Sequence, residues 1–325
     1  MRLHRAPVRR RDGFTLIELL VVMSIIAILA SLTTAAVFKA FEKMWEVQTR
    51  NDISSLASSV KQFESDYNMT VPPPSRIWLD KQGTYATPPV GYSAAQMGSL
   101  TQLGIDSKAY LTRVWPRIWQ SGVVVDWNGD GSANEGFVLE GEQVLVFFLG
   151  GARNATGSFI GFSADPTNPM NTNAAIKRKG PYFTFDNSRI TAGPGGAGAF
   201  FPMYLDGYTW KGVGKPYAYF SCGGRGANGY CPYAGNAVLG ASDCPSLIGV
   251  SATGTSAALL PYNQPIAAGQ PTVFYNPDTF QIISAGKNQV FGPGGSWTGA
   301  SSTAIGAAGI DDLTNFASSK LGVPQ

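Results

Sequence analysis

Residues 14–38 read FTLIELLVVMSIIAILASLTTAAVF, and the fold turns on how this stretch is understood. Its 25 residues hold a single ionisable side chain, Glu18. At about 1.5 Å per residue, a helix of that length exceeds the ~30 Å hydrocarbon core of a bilayer. Arg2, Arg5, Arg9, Arg10 and Arg11 precede it, whereas Lys39, Glu42 and Lys43 behind it nearly balance. Such an excess of basic residues keeps the short leader cytoplasmic and sends everything after Phe38 across the membrane. A cleavable secretory signal would carry a shorter apolar region ending at a small-x-small site, but this run continues past Ala30 and Ser31 without a polar break. A plain anchor explains the length and leaves Glu18 unexplained. A carboxylate inside a span costs roughly 2.5 kcal/mol or more, so it marks a function and implies a partner.

Gly13 followed by Phe14-Thr15-Leu16-Ile17-Glu18-Leu19-Leu20, behind a basic leader, resembles the class III prepilin signal of type IV pilins and type II secretion pseudopilins. The resemblance covers the leader and the span. It implies that a membrane prepilin peptidase cuts between Gly13 and Phe14, that the new N-terminus is methylated, and that Glu18 serves assembly. The last role has a physical reason. Once copies stack in a filament, a buried carboxylate needs a buried cation, and the Phe14 amine of a neighbouring copy supplies one.

Over the whole chain, charged residues are 14% and the net charge is +3, with 39 Gly and 21 Pro among 325 residues. Extensive loops are expected, and a nucleic-acid partner is not, because the clustered basic residues lie in the leader. The only histidine is His4. After processing, no histidine would remain for Ser/His/Asp or Cys/His catalysis or for histidine-ligated zinc.

Beyond the span, Ile53, Leu56, Val60, Phe63 and Tyr67 recur every three or four residues with polar side chains between them. This is an amphipathic continuation of the same helix, ended by Pro72-Pro73-Pro74. Phe63 and Tyr67 are read as core. Signals from Pro72 to Gly122 are weak; Trp115 and Trp119 are read as packing under a loop, with a sugar-binding platform as the alternative.

Asp126, Asn128 and Asp130 followed by Gly131 reproduce positions 1, 3, 5 and 6 of a calcium loop. Phe137 occupies position 12, so a closing ligand would come from Glu135, Glu140 or Glu142; the alternative is an Asx-rich turn. Glu140–Leu149 is read as a short helix stopped by Gly150-Gly151. The glycine-rich run 193–198 lacks the Lys-Ser/Thr ending of a phosphate loop. Tyr182–Phe185 and Tyr217–Phe220 are read as strands. Export permits a disulfide, with Cys222 to Cys231 preferred and Cys231 to Cys244 as the alternative. Residues 245–270 read as a surface loop. Thr272–Tyr275 and Thr279–Ser284, around Asn276-Pro277-Asp278, read as a hairpin whose second strand is half buried, with Phe280 and Ile282 inward and Gln281 outward.

The C-terminal region, Phe280 to Gly286 followed by a glycine-rich loop and Asp311-Asp312-Leu313-Thr314-Asn315-Phe316, resembles that of major pseudopilins. The resemblance implies calcium bound through Asp311 and Asp312, although Lys287-Asn288-Gln289 stands where one further acid is usual. The expected fold class is α+β: a long N-terminal helix packed on a small antiparallel sheet with large loop-rich insertions. The expected divisions are leader 1–13, membrane half 14–38, amphipathic half 39–70, and a periplasmic head 71–325 with an insertion over 71–270 and a hairpin plus acidic loop over 271–325. The expected role is a non-enzymatic pseudopilin anchored in the inner membrane, with calcium and no organic cofactor. Its implied partners are membrane lipid, further copies in a homo-oligomeric filament, other pseudopilins, the prepilin peptidase and the assembly platform. An adhesive type IV pilin and a membrane-anchored enzyme or binding protein are the alternatives.

Overall fold

The computed structural model of the chain describes residues 13–120, 122, 124–132, 135–194, 201–209, 214–265, 267, 269–299 and 305–323. The leader residues 1–12 with His4, Asn134 of the acidic loop, and most of the glycine run 193–198 lie outside them. The chain is α+β and divides into two compact units, Met1–Trp45 and Glu46–Gln325.

One helix, α1 (Leu16–Asp66), begins in the first unit and ends in the second. Among the described residues it is the one helix long and apolar enough to cross a membrane. In the first unit Leu16, Leu20, Met23, Ile26, Leu29 and Leu32 are all exposed, so no protein core receives them. In the second unit Ile53, Leu56, Val60 and Phe63 are buried, at the helical spacing that the sequence displays. The helix ends with Asn68 at φ 50°, which lets the Met69 amide close on the Glu64 carbonyl at 2.7 Å ahead of the three prolines.

The second unit contains β1 (Ile77–Leu79), α2 (Met97–Val114), β2 (Phe137–Leu139), α3 (Gly141–Gly150), β3 (Ala152–Arg153), β4 (Phe159–Ser163) and β5 (Arg178–Lys179). It continues with β6 (Ile190–Thr191), β7 (Met203–Tyr204), β8 (Ala218–Ser221), β9 (Ile248–Val250), β10 (Ser256–Ala258) and β11 (Tyr262–Asn263). The last elements are β12 (Phe280–Ser284), β13 (Gly295–Ser296), α4 (Gly306–Gly309) and β14 (Leu313–Thr314). The expected short helix over Glu140–Leu149 is α3, started by Gln143, whose side-chain oxygen accepts the Glu140 amide at 3.1 Å.

The antiparallel sheet β14-β12-β8 divides two hydrophobic cores. On one face Tyr217, Tyr219, Phe280, Ile282 and Leu313 join the α1 stripe, α2 and α3. Phe63 meets Phe148 and Tyr182 edge-on at centroid distances of 5.2 and 5.6 Å. On the other face Ala218, Phe220 and Ile283 pack with Leu247, Leu259, Tyr262, Phe291 and Trp297. Arg189 ties the helix to the remainder of the unit: it donates to Asp52 at 2.6 Å and to the Leu205 carbonyl, while the Tyr217 hydroxyl donates to the same Asp52 oxygen at 2.9 Å.

Four expectations need correction. The hairpin joining Thr272–Tyr275 to Thr279–Ser284 does not form; β12 pairs with β8 and β14, while Phe274 bridges to Asn263. Burial of β12 on both faces then places Gln281 inside, where its amide accepts the Tyr262 N–H and donates to the Tyr262 and Tyr275 carbonyls at 2.8 Å each. Residues 245–270 are not simply a surface loop, because β9 and β10 form a hairpin there and Leu259 and Tyr262 are buried. Tyr182–Phe185 is not a strand; Phe183 and Phe185 instead meet the Tyr204 ring edge-on. Trp115 is a core residue between Trp127 and Phe162, and Trp119 lies against Gly83 with its indole N–H on Thr112, so these two rings form no exposed platform.

Candidate functional site

Gly13, Phe14 and Thr15 lead directly into α1. Phe14 is exposed, and a side chain at Gly13 would meet nothing within 4 Å. Folding therefore does not require glycine at that position. Thr15 and Glu18 form a capping box at the helix start: the Glu18 Oε2 accepts the Thr15 N–H and hydroxyl, both at 2.9 Å, and the Thr15 hydroxyl oxygen accepts the Glu18 N–H at 3.3 Å. Glu18 thus sits in the first turn of α1, with its side chain turned back toward the Gly13-Phe14 junction.

The other residues singled out in the sequence fall in separate places. Asp312 is fully buried; its Oδ2 accepts the Tyr262 hydroxyl at 2.8 Å and the Gly292 N–H at 3.0 Å. Asp311 accepts the Asn288 N–H at 2.8 Å. In both residues the Oδ1 atom is buried and has no hydrogen-bond partner. Burial raises the pKa of both carboxyls, and that of Asp312 far above the usual range. Asp206, which the sequence reading passed over, is a second fully buried acid here, beside the half-buried Asp311. It accepts from the Ser284 hydroxyl at 2.7 Å and from the Gln289 amide at 3.1 Å, and burial pushes its pKa up to about 6. The only local signal was an Asp-Gly pair, which reads as a turn.

The Asp126 loop is organised by its own backbone. Asp126 accepts the Gly129 and Gly131 amides at 2.8 Å each, Asn128 accepts the Asp130 amide at 3.2 Å, and Asp130 accepts the Ser132 amide at 2.6 Å. Asn128 and Asp130 make Asx turns, and Asp130 Oδ2 also accepts the Asn128 side-chain amide, so the loop's oxygens are already committed. Glu140 and Glu142 do not close this loop, since both carboxylates accept from Ser246. Among the described residues no group of three or more His, Cys, Asp or Glu side chains is arranged to hold a metal ion. Cys222, Cys231 and Cys244 are all free thiols, so neither expected pairing is present.

The geometry of the helix start gives meaning to one comparison. Residues 8–34 match the prokaryotic N-terminal methylation motif. The chain therefore carries a class III, type IV pilin-like signal, and Gly13, Phe14 and Glu18 all fall within the matched residues. No curated protein and no solved structure matches the chain.

Proposed function

We propose that this chain is a pseudopilin: a structural, non-enzymatic subunit that is cut between Gly13 and Phe14, methylated, and drawn from the inner membrane into a periplasmic filament serving type II secretion. The methylation motif at the head of a membrane-length helix carries this reading. The leader remains cytoplasmic and the second unit is periplasmic, as the arginine excess directs. Thr15 holds Glu18 through Oε2 alone, which leaves Oε1 for the Phe14 amine of the next copy in the filament. Like copies, other pseudopilins, the prepilin peptidase and the assembly platform are the partners.

Intact-mass measurement of membrane-extracted protein is expected to show loss of Met1–Gly13 and gain of one methyl group. Glu18→Ala is expected to leave processing intact while abolishing filaments and secretion. Retention of Met1 rejects the whole reading; normal filaments from the variant reject the pairing; lost surface adhesion with intact secretion assigns the chain to a pilus.

Calcium belongs to the same proposal. The buried, unpartnered Oδ1 atoms of Asp311 and Asp312 suit a hard cation, which would supply the positive charge these carboxyls lack. The Asp126, Asn128 and Asp130 loop fits less well, because backbone amides already fill its oxygens. A hundredfold excess of ligand over its Kd stabilises by about 2.7 kcal/mol. The full chain in detergent is therefore expected to melt higher in calcium than in chelator, and Asp312→Asn is expected to remove the difference. Identical melting in calcium and chelator rejects the ion.

A further inference from the structure

The first turn of α3 contains a carboxyl group that no role described so far employs. Glu142 is 1% exposed. Its Oε1 is in short contact with the Ser246 hydroxyl, and its Oε2 is buried without a partner. The Cys244 thiol, which donates to the Tyr219 carbonyl at 3.3 Å, stands beside it. The packing leaves no slack, because a side chain at Gly141 would collide with the Tyr219 carbonyl and lie 2.7 Å from the Cys244 sulfur.

The surrounding charges do not neutralise an ionised Glu142. From its own element comes Glu140, whose Oε2 accepts the Ser246 amide at 3.3 Å. From the facing segment comes Cys244; the Asp243 carboxyl on the same segment turns away to the Ser75 hydroxyl at 2.7 Å and to Arg76. From β8 comes only a backbone carbonyl. Cys231 lies next to Asp243. Arg76 reaches this segment through the Leu239 and Ser242 carbonyls, and among the described residues no cation forms an ion pair with Glu142. A buried carboxylate with a second carboxyl beside it and no cation is held in its neutral form.

The location gives that proton leverage. α3 contributes Val144 to Leu149 to the first core, whereas Cys244 and Leu247 belong to the second. Residues 242–246 are the joint between them, fastened by the Gly141 N–H on the Asp243 carbonyl at 3.0 Å and by the Glu142–Ser246 contact. We propose that Glu142 is a proton-operated latch: neutral, it fastens the Ser242–Ser246 segment to the start of α3, and loss of the proton lets that segment part from α3 while the first core and the central sheet stay folded.

The direction follows from linkage. Burial first, then Glu140, pushes the closed-state pKa from 4.5 up to about 8. The opened segment returns Glu142 to water and to its ordinary value. The closed form therefore holds the extra proton between those limits, so its hold is complete below about 4.5 and weakens about tenfold per pH unit until about 8. Acid shuts the latch; neutral and alkaline pH loosen it.

Amide hydrogen exchange on the full chain in detergent, corrected for intrinsic rates, tests this. Peptides covering residues 242–250 are expected to open about a hundredfold more between pH 5 and pH 7. Glu142→Gln, which fixes the neutral shape, is expected to keep the acid level of protection at both values. The infrared difference between the two proteins at pH 6 is expected to contain one protonated-carboxyl band. Unchanged wild-type protection, the same rise in Glu142→Gln, or no such band overturns the proposal. So does an equal rise in the slow amides of α2, which would mean that the proton leaves only on global unfolding.

Discussion

Leu20 and Phe63 lie in the same helix, yet Leu20 is 58% exposed and Phe63 is fully buried. The N-terminal half of α1 is apolar all round, so no single face is favoured for packing on protein. The distal half confines its apolar residues to a stripe that α2, α3 and the sheet cover. Total hydrophobicity therefore says little about where a helix finds its partner, while the angular spread of the hydrophobic residues says a good deal.

This contrast can be tested by truncating one side chain in each half. Phe63→Ala removes a ring in edge-on contact with Phe148 and Tyr182 and opens a cavity between α1, α3 and the Tyr182 segment. It is expected to destabilise the second unit by about 3–5 kcal/mol in urea titration of the full chain in detergent. A loss below about 1 kcal/mol would mean that the distal half is an appendage and not part of the core. Leu20→Ala is expected to shift the same transition by no more than about 0.5 kcal/mol, because among the described residues it belongs to no buried core. A larger shift would show that the first half also has a protein partner within the monomer.

Sequence reading succeeds where one element carries its own explanation. The α1 stripe, the stop at Pro72-Pro73-Pro74, the α3 helix and the Gly13 to Glu18 signal are all local patterns. It failed where a residue's state is set by distant chain. Gln281 looks like the outward position of a half-buried strand, and only Tyr262 and Tyr275 make it an interior residue. Asp312 reads only as half of an adjacent acidic pair, and nothing local shows that Tyr262 and Gly292 enclose it. The helix α2 is hard to read from sequence because Gly98 and Gly104 weaken its pattern; a side chain at Gly104 would come within 3.1 Å of the Tyr85 ring, closer than ordinary contact. The free cysteines belong to the same class, since their spacing permits a bridge that the packing around them does not make.

The central sheet offers little purchase to a foreign strand. On the outer flank of β8, the Ser75 hydroxyl accepts the Ser221 N–H at 3.1 Å and the Cys244 thiol takes the Tyr219 carbonyl. On the opposite flank, where β14 no longer reaches, the Asn315 side-chain amide stands in for a strand: it accepts the Ile282 N–H at 3.0 Å and donates to the Phe280 carbonyl at 3.1 Å. An uncovered row of such groups is a template for edge-to-edge growth. With side chains closing these positions, copies crowded together at high local concentration are protected from fusing through their sheets into amyloid-like ribbons.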